Sequence, residues 1–225
     1  VWLDAAASKG MQLEGKVVRR GGVITLDMTI TNRAMTQLTD FAIQFNKNSF
    51  GLVPEPMNVP APVFPNQSTQ ALVRCNIGGV VQKMEPLTNL QVAIKNNAGV
   101  FYFAVVVPLH VYFDEGGAME KRDFLQLWQE IPEANEQQFT IGNARGLSAD
   151  EICAKLAANN VFTVARRSVD GQELLYHSIR YTNKIVVLSE LKIAAGAPTL
   201  TLSLKSRHLT AISNLNETYQ LLIDN

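Results

Sequence analysis

Residues Phe124–Gln138, FLQLWQEIPEANEQQ, are where the chain changes its period. Phe124, Leu127, Trp128 and Ile131 fall at i, i+3, i+4 and i+7, the apolar stripe of an amphipathic helix. Pro132 cannot continue that helix, so the chain turns directly after it. Glu133, Glu136, Gln137 and Gln138 follow, acidic and polar. A tryptophan at a helix end beside carboxylates and amides is either a packed core residue or the floor of an anchoring pocket. Among Phe and Leu at helical spacing, packing is the commoner state.

Upstream of this stretch the period is two. In VITLDMTITN, Val23–Asn32, the residues Ile24, Leu26, Met28 and Ile30 alternate with Thr25, Asp27, Thr29 and Thr31, the pattern of a half-buried strand. Gly21-Gly22 marks a turn from a preceding strand at 16–20. Phe41, Ile43 and Phe45 alternate with Ala42, Gln44 and Asn46, which face away from the core. Pro54, Pro56, Pro60, Pro62 and Pro65 then predict an extended connection and no central strand. Strand patterns return at 71–77, 90–95 and 100–107. In LQVAIK, Val92 and Ile94 point in while Gln91, Ala93 and Lys95 point out. Many short strands with turns between them predict an immunoglobulin-like β-sandwich.

Downstream, helices and strands mix. After the helix ending at Ile131, a strand is expected near 138–141. Ser148 and Glu151 form an S-x-x-E capping box that opens a helix to about Ala158, ended by Asn159-Asn160. Residues 161–167 and 173–181 flank Asp170-Gly171, a two-residue hairpin turn. That turn sets Arg167 opposite Leu174 and Ala165 opposite Tyr176, with Arg167 and Tyr176 diagonal on one face. Such an aromatic–guanidinium pair is a packing contact or a binding surface. Glu190, in an otherwise apolar strand, points to solvent or to a partner. Strands at 184–193 and 199–205 follow, then a helix with Leu209, Ile212, Leu215, Tyr219 and Leu222 on one side. The fold class is therefore α+β: a β-sandwich over residues 1–113, then a small α+β domain over 114–225 with an antiparallel sheet and flanking helices.

The 225 residues are 47% hydrophobic and 18% charged, enough for a sizeable core. Twenty basic and twenty acidic residues leave no net charge. That argues against broad electrostatic binding to nucleic acid and against attraction to an anionic bilayer. No apolar run reaches the ~20 residues of a membrane span, so direct membrane insertion is not expected. The chain begins at Val1 rather than Met, as a segment of a longer protein would. Cys75 and Cys153 have no CxxC companion, and two inert buried thiols in a reducing compartment are expected. His110, His177 and His208 lie apart, each within an expected strand or helix, so no metal and no other cofactor is expected.

Catalytic motifs are missing. There is no nucleophile elbow, no HExxH, and no glycine-rich phosphate loop between strand and helix. Gly142-Asn143-Ala144-Arg145-Gly146 reads as a plain loop. Cys153 with His177 as a hydrolase dyad is the distant enzymatic alternative. Glu133 and Glu136 read as solvated charges.

The order of features, with FAIQFNKNSFG at Phe41–Gly51, MEPLTNLQVAIKNN at Met84–Asn97, FYF at Phe101–Phe103, IPEANEQQF at Ile131–Phe139 and GQELLY at Gly171–Tyr176, resembles the appendage (ear) of the β subunits of clathrin adaptor complexes. The plasma-membrane and Golgi/endosome types are not separated by these residues. The resemblance implies a non-catalytic module, hung by a hinge from an adaptor core, that gathers accessory proteins, cargo adaptors and clathrin at coated pits and vesicles in the cytoplasm. Other adaptor subunits would be met through the upstream region. It implies a site on the second ("platform") domain for short helical ligands carrying Phe and Arg. Trp128 and Tyr176 would form its floor, Arg167 and Lys121 the basic contacts, and Glu136, Gln138 and Glu190 the polar and acidic ones. It implies a second site on the sandwich, centred on Tyr102 and flanked by Gln44, Asn46, Lys47 and Lys95. The alternation independently puts Gln44, Asn46 and Lys95 outward and Tyr102 opposite to Phe101 and Phe103. The chain departs from the family pattern at Gln129, where lysine is common, and at Lys184 and Val186, where glycine and tryptophan are usual. Its 142–146 loop is also one residue longer. A divergent ear serving another coat, with an altered platform groove, is therefore the alternative.

Overall fold

Gly21 and Gly22 both take positive φ, 55° and 79°, a conformation glycine reaches without steric cost. They close a tight hairpin between β1 (Met11–Arg20) and β2 (Val23–Asn32) in the computed structural model, which describes all 225 residues. The first strand is thus longer than its sequence signal, and Met11, Leu13 and Val17 join the core. The chain continues through β3 (Ala42–Phe45), β4 (Leu52–Pro54), β5 (Ser68–Ile77), β6 (Asn89–Asn96) and β7 (Gly99–Val106). These make two antiparallel sheets, ordered β1-β2-β5-β4 and β3-β6-β7. Pro54 ends the edge strand β4, where a missing N–H is tolerated. From Glu55 to Gln67 the proline-rich passage forms only a bridge at Val63. Ile24, Leu26, Met28 and Ile30 are all buried. The alternate threonines pair across strands instead, Thr29 with Gln70 at 3.2 Å and Thr31 with Ser68 at 2.8 Å.

Residue proximity divides the chain into two units, Val1–Val111 and Tyr112–Asn225. The second contains α1 (Lys121–Glu130), β8 (Glu136–Gly142), α2 (Ala149–Ala157), β9 (Phe162–Val169), β10 (Gln172–Arg180), β11 (Val186–Ala194), β12 (Thr199–Lys205) and α3 (Leu215–Asp224). Its sheet is antiparallel throughout, in the order β8-β12-β11-β10-β9. The chain is α+β. Ser148 caps α2 with a complete capping box, accepting from Glu151 N while Glu151 accepts from Ser148 N at 2.8 Å. Asp170 and Gly171 take φ of 50° and 75°, the mirror-image turn that suits strand twist.

Several boundaries differ from the sequence reading. β8 starts at Glu136 because one short turn, Glu133–Asn135, suffices after Pro132. Lys184 lies in the turn before β11 at φ 70°, so that strand begins at Val186. The last helix is broken: Leu209–Ala211 is a single 3-10 turn, and Asn214 at φ 62° precedes α3. Asparagine is among the few residues that enter the left-handed region cheaply. Leu209 is consequently exposed while Ile212, Leu215, Tyr219 and Leu222 are buried. His208 is outside any regular element, and His110 sits in the turn Leu109–Tyr112. Cys75 is buried as expected, and burial pushes its thiol up to about 12. Cys153 is only half-buried.

One face of the five-stranded sheet is sealed by apolar residues, among which His177 and Ser189 are fully buried. Ser189 Oγ lies 2.6 Å from the Tyr219 hydroxyl of α3 and 3.3 Å from His177 Nδ1. Burial lowers the His177 imidazole from 6.5 to about 3. Between those values the unfolded chain holds a proton that the folded chain does not. Stability is therefore full above pH 6.5 and falls as pH drops towards 3, with a slope of up to about 1.4 kcal/mol per pH unit. Denaturant titrations across that range should show the slope, and His177→Asn should flatten it.

Candidate binding surfaces

The open face of the second unit's sheet is organised by register. Ala165 pairs with Tyr176, Tyr176 with Glu190, Glu190 with Ser203 and Ser203 with Gln138. One transverse row therefore carries side chains from all five strands to the same side. Helix α1 covers part of this face. Phe124 and Ile131 are buried against Leu188, with Leu127, Trp128, Val164, Tyr176 and Val186 packed around them. The Phe124 ring stacks on Trp128 at 5.6 Å and meets Tyr176 edge-on at 5.7 Å. Such pairs contribute roughly 0.5–1.5 kcal/mol each beyond their buried area. A bulge between Tyr176 and His177 skips Val164 in the pairing. Two successive residues of β9 thus serve the α1 side, Val164 in the cluster and Ala165 beside it.

Between α1 and β9–β11 lies a cleft of about 400 Å³. The helix contributes Lys121, Leu125 and Trp128, and the sheet contributes Arg167, Tyr176 and Glu190. Trp128 and Tyr176 are half-buried, and Leu125 is 51% exposed. The Tyr176 hydroxyl interacts with both Glu190 and Arg167, placing an anion and a cation on either side of one phenol. Glu136 and Gln138 share the sheet face but do not line this cleft. Gln138 stands two strands from Glu190, roughly 10 Å at ordinary strand spacing, and bonds Ser203 Oγ at 3.3 Å. Glu136 pairs with Lys205.

Lys205 escaped the sequence reading. Its Nζ donates to the Trp128 carbonyl at 2.7 Å and lies 5.1 Å from the centre of the Trp128 ring. Only the β12 register brings it there, and no local motif signals it. Leu125 also escaped that reading, although its place outside the apolar stripe is a signal that could have marked it as exposed. The two departures at the start of β11 have ordinary roles. Lys184 pairs with Asp114 at 2.7 Å, and Val186 packs beneath α1. Lys184, with the Gly116 N–H and Arg180 after it, holds the Asp114 carboxyl well below the usual carboxylate range.

On the first unit, Gln44 pairs with Ala93 and Ala93 with Tyr102. Tyr102 is 75% exposed. Gln91, beside Ala93 on the outward side, accepts from Asn46 Nδ2 at 2.8 Å and pairs with Ala104. These six residues bound a hollow of about 530 Å³. Its depth comes from Ala93 and Ala104, which leave space beside a tyrosine. Lys47 and Lys95 are exposed outside the hollow, Lys95 pairing with Ala42 and Val100 one position further along. Sequence reading had placed Gln91 and Ala93 outward without assigning them to the site, and it missed Ala104.

No group of three or more His, Cys, Asp or Glu residues is placed to hold a metal ion. No helix is long and apolar enough to cross a membrane.

The chain is thus built of two units, the second an antiparallel sheet roofed on one side by a short helix, and each unit carries a hollow lined by a tyrosine. Residues 114–223 match the family model "Beta2-adaptin appendage, C-terminal sub-domain", and residues 3–104 match "Adaptin C-terminal domain". The chain belongs to the β-adaptin appendage family. It is 47% identical over 226 residues to the AP-1 complex subunit beta-1 of Rattus norvegicus and 46% identical over 229 residues to that of Homo sapiens. It is 26% identical over 222 residues to the AP-1 complex subunit beta of Dictyostelium discoideum. These alignments take in 97–100% of this chain but 24% of each relative, so the chain spans about a quarter of their length.

Burial and Glu190 raise the Tyr176 phenol above its ordinary value of 10.0, while Arg167 opposes them. Glu190→Gln should therefore lower the Tyr176 titration midpoint and Arg167→Ala should raise it. Ultraviolet difference titration of the two variants against wild type reads both shifts.

Proposed function

We propose that the chain is a non-catalytic interaction module of a clathrin adaptor complex, binding short motifs of accessory and cargo-adaptor proteins and of clathrin during coated-vesicle formation. The observation that carries this reading is the α1–β9–β11 cleft. A half-buried indole and a phenol make its floor, and Glu190 and Arg167 set opposite charges beside the phenol. An amphipathic helix lays apolar residues into such a groove and uses charged ends for direction. Phenylalanine suits the Trp128–Tyr176 floor, a ligand arginine suits Glu190, and ligand carboxylates suit Arg167 and Lys121. The Glu136 and Gln138 positions extend the polar surface along the same sheet face, beyond the cleft.

The Tyr102 hollow on the first unit is the second site, taking a short motif whose apolar residue fills the space over Ala93 and Ala104. Gln44, Asn46 and Gln91 offer its polar rim, and Lys47 and Lys95 a cationic border. Two sites of modest affinity on one module gain strength when many copies gather on a coat. The similarity to AP-1 β subunits supports a cytoplasmic protein peripheral to coated membranes, joined to other adaptor subunits through the remaining length of the relatives. Gln129 removes one cation from the helix beside the groove, so acidic ligand residues depend more on Arg167 and Lys121.

Trp128→Ala should weaken a synthetic amphipathic helical peptide carrying Phe and Arg by about 2 kcal/mol or more, roughly thirtyfold. Isothermal titration with wild type and variant measures this, and equal binding would sink the platform site. Tyr102→Ala should reduce capture of clathrin and of ligands for the first unit while leaving that helical peptide unaffected. Pull-downs in which both kinds of ligand bind the variant normally would remove the Tyr102 site.

A further inference from the structure

We infer that Lys205 is the positioning residue of the groove, fixing Trp128 in the free protein and thereby setting the groove's affinity. This rests on the reading of Trp128 as a ligand contact. The need for such a residue is written in the helix itself. In an α-helix the carbonyl of residue i accepts from the N–H of i+4. Leu127 O is satisfied by Ile131 N at 3.0 Å. Trp128 O would look to residue 132, which is proline and has no N–H. Lys205 Nζ supplies the missing donor at 2.7 Å. The same ammonium lies 5.1 Å from the centre of the Trp128 ring, within cation–π range. One cation thus holds the backbone and the side chain of one residue.

The setting favours this role. Lys205 is only 4% exposed, which is rare for a lysine unless its charge is engaged. Its positive charge sits at the C-terminal end of α1, where the helix dipole favours a cation. The residues after it bind the same helix end and the turn that follows it: Arg207 pairs with Glu130 at 2.7 Å, and Asn135 Nδ2 in the turn donates to Ser206 O at 2.9 Å. The end of β12 is therefore a strap over the last turn of α1. Because the indole is already held when a ligand arrives, less side-chain freedom is lost on binding.

The test uses Lys205→Met, which keeps the side-chain stem and removes the ammonium. Protein labelled with fluorotryptophan carries two reporters, Trp2 and Trp128, and Trp128→Phe assigns the second. In the ligand-free Met variant the Trp128 fluorine resonance should broaden or split. Affinity for the synthetic Phe/Arg helical peptide should fall about five- to tenfold. Should the Met variant not fold, Lys205→Gln, a neutral donor with a shorter reach, carries the same two readouts. A resonance unchanged from wild type overturns the proposal whatever the affinity does, and so does unchanged affinity beside a broadened resonance. If Trp128→Ala still binds the peptide, the groove reading fails by itself, while the ligand-free spectrum still decides whether Lys205 holds the indole.

Discussion

The antiparallel register of the five-stranded sheet is the constraint on which the second unit depends. A strand shifted by one residue would turn its whole outward set to the opposite face. Tyr176, Glu190, Ser203 and Gln138 come from four strands that are distant in sequence, and only their pairing puts them in one row. The same register sends His177, Ser189, Leu202 and Leu204 to the sealed side, where apolar burial resists any slip. The core thus fixes the open face without touching it. Helix α1 adds the third wall because Phe124 and Ile131 are buried on Leu188, leaving Leu125 and Trp128 at the margin.

How much of this could be read from the chain depended on the range of each interaction. The β2 alternation, the Asp170-Gly171 turn and the Ser148–Glu151 box are local, and each is found as the sequence indicates. The pairing of Arg167 with Leu174 and of Ala165 with Tyr176 followed from the turn alone. The bulge beyond Tyr176 did not, because Val164 leaves the ladder to pack against a helix forty residues upstream in the chain. The unbroken final helix failed at Asn214, whose left-handed backbone interrupts an apolar periodicity that continues on both sides of it. Lys205 was invisible for a related reason. Pro132 announces an orphan carbonyl, but nothing near it says which distant side chain will answer.

Trp128 itself has the geometry that both readings of its sequence require. Its ring stacks on Phe124 as a core residue would, and it also lines a cleft. A residue packed on one side and open on another offers area to a ligand without flexibility, as compact aromatic anchors do. The charges near it are arranged without crowding. Asp114 and Lys184 neutralise one another elsewhere, and Arg166 is occupied by Asp150 and by Glu173 at 2.6 Å. Arg167 and Glu190 remain facing the phenol between them.

The hollow on the first unit is built differently, out of two side chains that stop at Cβ. The side chains of Ala93 and Ala104 donate no hydrogen bond and carry no charge, yet a longer residue at either position would fill the space over which Tyr102 stands. Surveys that truncate residues to alanine are blind to both, since there is nothing left to remove. Contact maps drawn by such surveys would outline the rim of this surface and leave its centre blank. Substitution in the opposite direction, from small to large, is the one that would make the centre visible.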